Sequence, residues 1–186
     1  MGRQDHHGVK SGSRPVSPFV RKTIIDAWRT NSAMTAFLIE RLPPAMWPEK
    51  IGDTRRTIRS LAGHLHNARC RWIKTLGQEH GISAPPFVDL HRATPQQVLT
   101  ALKPSAKGIE AILVLGLQAG GTVPASEAYV WRNLPLDVGH VLTYFVAHEA
   151  HHRGQLVLLA RQLGHRLPTE TTNGLWWWMA RSDHVR

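Results

Sequence analysis

The sequence predicts an all-α fold built from four long helices. Apolar side chains recur at three- and four-residue spacing over long stretches. Those stretches open on capping residues, twice with a proline directly after, and no segment carries the two-residue alternation of a strand. At 186 residues, of which 42% are hydrophobic and 19% charged, the chain can bury one real core without staples.

Residues 1–17 are rich in Gly, Ser, His and basic side chains, so a disordered basic tail is expected, with His6 and His7 incidental. Residues 18–186 form the single domain. Ser17 as N-cap with Pro18 at the first helical position opens a helix running to about Arg41, where Pro43-Pro44 stop it. A second helix is expected from about Thr54 to Leu76, ended by Gly77. Its stripe is Leu61, Leu65, Ala68, Trp72 and Leu76. The connection Gly77–Ala93, bearing Pro85-Pro86, is long enough to cross a bundle end to end. Thr94-Pro95 repeats the cap-then-proline start and opens a third helix to about Gln118, with Pro104 inside expected to kink it or delay its regular part. After a second long connection, Asp137 starts the longest helix, which runs to about Leu163 with Gly164 as its terminating glycine. A short element around Thr172–Arg181 carries Trp176-Trp177-Trp178. Three adjacent tryptophans cannot all face one core, so at least one should pack on a partner chain or a cleft rim.

The net charge of +10 raises nucleic acid as a partner. The basic residues are scattered and no recognition motif accompanies them, so a solvated basic surface is the expectation and nucleic acid is not the expected partner. Cys70 is the one cysteine, which excludes an intramolecular disulfide and fits a reducing compartment. The amino terminus lacks a signal-type apolar run, and the longest apolar tract, Ala111–Leu117, is too short to span a bilayer. A cytoplasmic protein without a membrane partner is expected.

The chemistry concentrates in His148-Glu149-Ala150-His151-His152-Arg153-Gly154-Gln155. With His148 at zero and roughly 100° per residue, the apolar positions Val141, Phe145, Leu156 and Leu159 fall between roughly +20° and +80°. His152 falls at roughly +40°, inside that arc, while His151 falls near roughly −60° at its rim. Two inward imidazoles one turn apart form half of a metal site, and a facing helix should supply the third ligand. In the second helix His64 lies at the edge of the apolar stripe and His66 on its far side, which selects His64. Glu149, near roughly +100°, is open to two readings, a base near the metal or a half-exposed side chain. Arg153, near roughly +140°, should be solvated or paired. His80, His91, His140, His165 and His184 read as ordinary histidines. A zinc-peptidase reading of His148-Glu149-x-x-His152 fails one step on, because its long form needs Gly at 155 and His at 158 where this chain has Gln155 and Leu158.

The stretch Val146–Leu156 resembles the closing-helix motif H-x-x-x-H-R-G-Q of the DinB/YfiT-like superfamily. Leu61-Ala62-Gly63-His64-Leu65 is similar to that family's isolated histidine before a leucine, and Asn173-Gly174-Leu175-Trp176-Trp177-Trp178 to its Trp-rich close. The resemblance covers roughly residues 18–181 and leaves out the basic tail. It implies a four-helix bundle, often connected up-down-down-up, often a homodimer, with a divalent metal on His64, His148 and His152. Members of known activity are metal-dependent thiol transferases, thiol-dependent isomerases or hydrolases, and nothing in this chain marks a particular thiol.

Three neutral imidazoles leave coordination positions open, as catalytic sites do. The expected function is therefore a metal-dependent enzyme that activates a thiol or water for transfer or hydrolysis on a small molecule, with a low-molecular-weight thiol as a candidate partner. Zinc or nickel suits the imidazoles first, then iron or manganese. Glu149 or Tyr144 would assist proton movement. The alternative is a non-catalytic, metal-stabilised bundle serving binding or stress response.

Overall fold

The computed structural model describes residues 16–52 and 56–183. The expected disorder of residues 1–15, the histidines His6, His7 and His184, and the expected helix start at Thr54 lie outside the described residues. Four long helices form the body: α1 (Pro18–Glu40), α2 (Ile58–Leu76), α3 (Pro95–Gln118) and α4 (Val138–Gln162). Two short helices follow, α5 (Thr169–Gly174) and α6 (Trp178–Asp183). Extended pairing among the described residues is confined to isolated bridges, Lys50 with Thr57 and Thr122 with Asp137. None of the described helices is long and apolar enough to cross a membrane.

Local chemistry sets the helix ends. The Ser17 side chain accepts from the Val20 amide, and Asp137 does the same for His140. Thr94 and Gln97 form a reciprocal capping box at the start of α3. The second helix starts later than the apolar pattern predicts. Thr57, in extended conformation, caps it through a box with Ser60, while the Arg56 carbonyl accepts from the Ile51 amide. Pro104 causes no delay, since α3 is helical from Pro95 onward. Gly164 takes a left-handed φ of 79° just past α4, where a side chain would be strained. The single C-terminal element expected around Thr172–Arg181 is two short helices with a break at Leu175–Trp177.

Residue pairs give the relative sense of the helices. His66 meets Ser105 and Ile73 meets Gly108, so α2 and α3 advance together, as the long Gly77–Ala93 crossover between them allows. Arg69 meets Glu149 and Trp72 meets Tyr144, so α2 and α4 run in opposite senses. Trp28 meets Phe145 and Thr35 meets Arg153, so α1 and α4 run together. The crossover is tied down by the buried His66, whose ring nitrogens contact Ser105 Oγ at 3.1 Å and the Pro86 carbonyl at 2.8 Å. That bonding makes His66 a core histidine.

The interior is two apolar halves with a polar layer between them. One half gathers Leu38, Met46, Trp47, Ile58, Leu65, Leu102 and Leu156. The other gathers Trp28, Ile73, Leu76, Ile109, Leu113 and Phe145. Between them lie Asn31 and Thr35 of α1, Arg69 of α2, and Glu149 and Arg153 of α4, all buried. Glu149 Oε1 accepts from Arg69 Nε at 2.6 Å, and its Oε2 accepts from Arg69 Nη2, Asn31 Nδ2 and Thr35 Oγ1 at 2.9, 2.9 and 2.7 Å. Arg69 also donates to the Leu102 carbonyl at 3.2 Å and stacks over the Trp28 ring at 4.9 Å. One carboxylate thus fastens α4 to both α1 and α2 at mid-height.

Candidate metal centre

His64 leaves α2 directly after Gly63, where an added Cβ would stand 2.8 Å from Leu90 Cδ2. That close approach lets the crossover lie against the helix. His148 and His152 are one turn apart on α4, and the opposed senses of α2 and α4 bring all three imidazoles together. Ring centroids are 5.4 Å apart for His64 and His148, 4.8 Å for His64 and His152, and 4.6 Å for His148 and His152. One ring nitrogen from each lies within 4.8 Å of the others. Zinc–nitrogen bonds of about 2.0–2.1 Å place tetrahedral ligands about 3.3 Å apart, so side-chain rotation alone can close the triad on an ion. The donor set fits a divalent metal.

The surrounding bonds prepare the rings for that role. His152 Nδ1 donates to Gln155 Oε1 at 2.7 Å, and Gln155 Nε2 donates to His151 Nε2 at 3.0 Å, in the tautomers this network requires. His152 Nε2 is left as an acceptor, the arrangement in which a partner on one nitrogen aims the other at a metal. Burial holds the His64 imidazole down to about 4, with His152 and His148 adding to the effect, and Arg71 and Arg56 after them. Burial likewise lowers His148 and His152, although the Gln155 bond opposes it at His152. All three are neutral donors at neutral pH.

These shifts have a sign that can be measured. Between about 6.5 and the lowered values the folded chain binds fewer protons than the unfolded chain. The metal-free protein is expected to hold its stability above about pH 6.5 and to lose it as pH falls toward about 4. Urea midpoints followed across that window check this, and a flat midpoint would contradict it.

The two side chains expected to assist protons occupy different settings. Tyr144, one turn before His148, stacks on its ring at 5.9 Å and 15°, and its hydroxyl accepts from Trp72 Nε1 at 3.2 Å. Glu149 is only 1% exposed, so the half-exposed reading is corrected. Both its oxygens are taken by the polar layer, because the apolar arc of α4 extends round far enough to bury that flank. Arg153 is paired rather than solvated, with Nη1 donating to Asn31 Oδ1 at 2.9 Å and Thr35 Oγ1 at 2.8 Å. His140 pairs with Asp137 on the surface, and His151 accepts from Gln155 and sets its ring edge-on to His152 at 5.1 Å. Gln155, Asn31, Thr35 and Arg69 escaped the sequence reading. The three-residue step from His152 to Gln155 was the available signal for the first of them.

Four helices that converge three imidazoles define a bundle protein with a histidine centre set between facing helices. The profile of the DinB family matches residues 17–181, and the chain belongs to that family. No curated protein and no solved structure matches the chain.

Proposed function

We propose that the chain is a metal-dependent enzyme whose divalent ion is held by His64, His148 and His152. The observation that carries this is the convergence, within 4.8 Å, of three neutral ring nitrogens from two helices. The imidazoles of His64 and His148 make no side-chain hydrogen bond to a described residue, which suits rings kept for a ligand. Zinc or nickel fits such a donor set first, then iron or manganese. A metal with three protein ligands keeps open positions and lowers the pKa of a water or thiol it takes up, which supplies a nucleophile near neutral pH.

The chain's own groups then determine how protons move. The stack of Tyr144 on the His148 ring supports Tyr144 rather than Glu149 as the proton carrier, since the Glu149 carboxylate is committed to Arg69, Asn31 and Thr35. The reaction class these features support is transfer of a small thiol to an electrophilic small molecule, or hydrolysis of one.

The test loads the apo protein with zinc, nickel, iron or manganese and supplies monochlorobimane with a set of small thiols, then activated esters. Turnover that needs the metal and disappears in His148→Ala is the expected result. Metal-dependent melting with no turnover on any pair would overturn the enzyme reading and leave a metal-stabilised binding module.

A further inference from the structure

The outer face of α4, away from the imidazoles, lines a groove. Val146, Ala150, Val157 and Arg161 lie roughly 160–220° around the helix from His148. They line a groove of about 630 Å³ that Leu175 and Trp176, in the break between α5 and α6, and Trp178 of α6 close from the other side. This is within the about 300–1,000 Å³ of small-molecule sites, and its lining is mostly apolar. Trp176 is 79% exposed at the rim, the position expected for at least one of the three adjacent tryptophans. Gly154 forms part of the wall, and an added Cβ there would meet nothing within 4 Å.

What sets this groove apart from a bare apolar face is Arg153 in its wall. The residue is 9% exposed, and all of its hydrogen bonds to described residues come from Nη1, which faces the polar layer. Its Nε and Nη2 make no hydrogen bond to a described residue, and the side chain lines the groove. The buried cluster is also uneven in charge. Arg69 and Arg153 set two positive charges against the single Glu149 carboxylate, leaving one positive charge over. Arg161 and Arg166 add positive charge to the lining, and no acidic side chain among the described residues lines it.

We infer that the groove binds a small amphipathic anion, an organic carboxylate whose apolar body lies on Val157, Leu175 and Trp178 and whose oxygens accept from Arg153. A carboxylate supplies both missing quantities, acceptors for unused guanidinium donors and one negative charge. A second copy of the chain does not, because paired grooves would set Arg161 and Arg166 against their own kind.

Decanoate is the probe, followed by tryptophan fluorescence and calorimetry. Saturable binding of one decanoate per chain is expected, with decyltrimethylammonium about tenfold or more weaker, as loss of a charge-assisted hydrogen bond requires. Because Arg153→Met also strips partners from the polar layer, Gly154→Leu is the decisive variant. It fills the groove at an open helical position and is expected to abolish decanoate binding while leaving the fold intact. His148→Ala is expected to bind decanoate as the native chain does, which separates this site from the metal centre. Equal affinity for the cationic detergent, or unchanged binding in Gly154→Leu, would overturn the inference. So would a native dimer that Gly154→Leu breaks, since the groove would then be an interface between copies.

Discussion

A Glu149→Ala chain is expected to lose about 3–5 kcal/mol of stability, out of about 5–15 kcal/mol for an ordinary domain. The deleted carboxylate accepts from Arg69 twice and from Asn31 and Thr35 once each. Its removal leaves the Arg69 guanidinium, 1% exposed, and the largely buried Arg153 without a counter-charge. An uncompensated buried charge, more than the lost attraction, is the source of the effect. The contrast that identifies this cause is Arg69→Met combined with Glu149→Leu, which removes the Arg69 charge with its partner, leaves only Arg153 without a counter-charge, and should cost far less than Glu149→Ala alone. Urea unfolding of the three chains measures it. A loss below about 1 kcal/mol in Glu149→Ala would mean the layer is surface-like in energy, against its burial.

The second large effect falls on metal affinity with the fold kept. Gln155→Leu is expected to weaken zinc binding about 10–100-fold, the usual consequence of removing a ligand's outer partner. In the native chain the Gln155 bond of 2.7 Å fixes which nitrogen of His152 carries the proton and how the ring is turned. Leucine fills similar space on the half-buried helix flank, so unfolding midpoints without metal should hardly move. Competition with a chromophoric chelator reads the affinity. Unchanged affinity would show that His152 is oriented by packing alone.

How much of this was legible in the sequence depended on whether the signal was local. Ser17-Pro18, Thr94-Pro95 and Asp137 fix helix starts through side chains within three residues, and those starts stand where the sequence places them. Thr57 is also a local cap, yet apolar periodicity alone carries the second helix back to Thr54, because periodicity does not register an extended backbone at Arg56–Thr57. The convergence of His64 with His148 and His152 follows from helical angle plus one facing helix, which the sequence contains. The polar layer does not. Asn31, Thr35 and Arg69 carry no local signal of burial, Glu149 and Arg153 are left open by helical angle alone, and only packing of α1, α2 and α4 turns them into one buried network. The segment H-x-x-x-H-R-G-Q can now be read physically. Its histidines face α2, Arg153 holds α1, Gly154 keeps the outer groove open, and Gln155 aims His152.

The measurement that bears most directly on the central claim is elemental analysis of untagged protein, native beside His64→Ala and His152→Ala. The account expects close to one divalent metal per chain in the native protein and none in either variant, with helix content unchanged in all three. Metal retained in both variants, or none bound by the native chain after zinc and nickel are supplied, would contradict it.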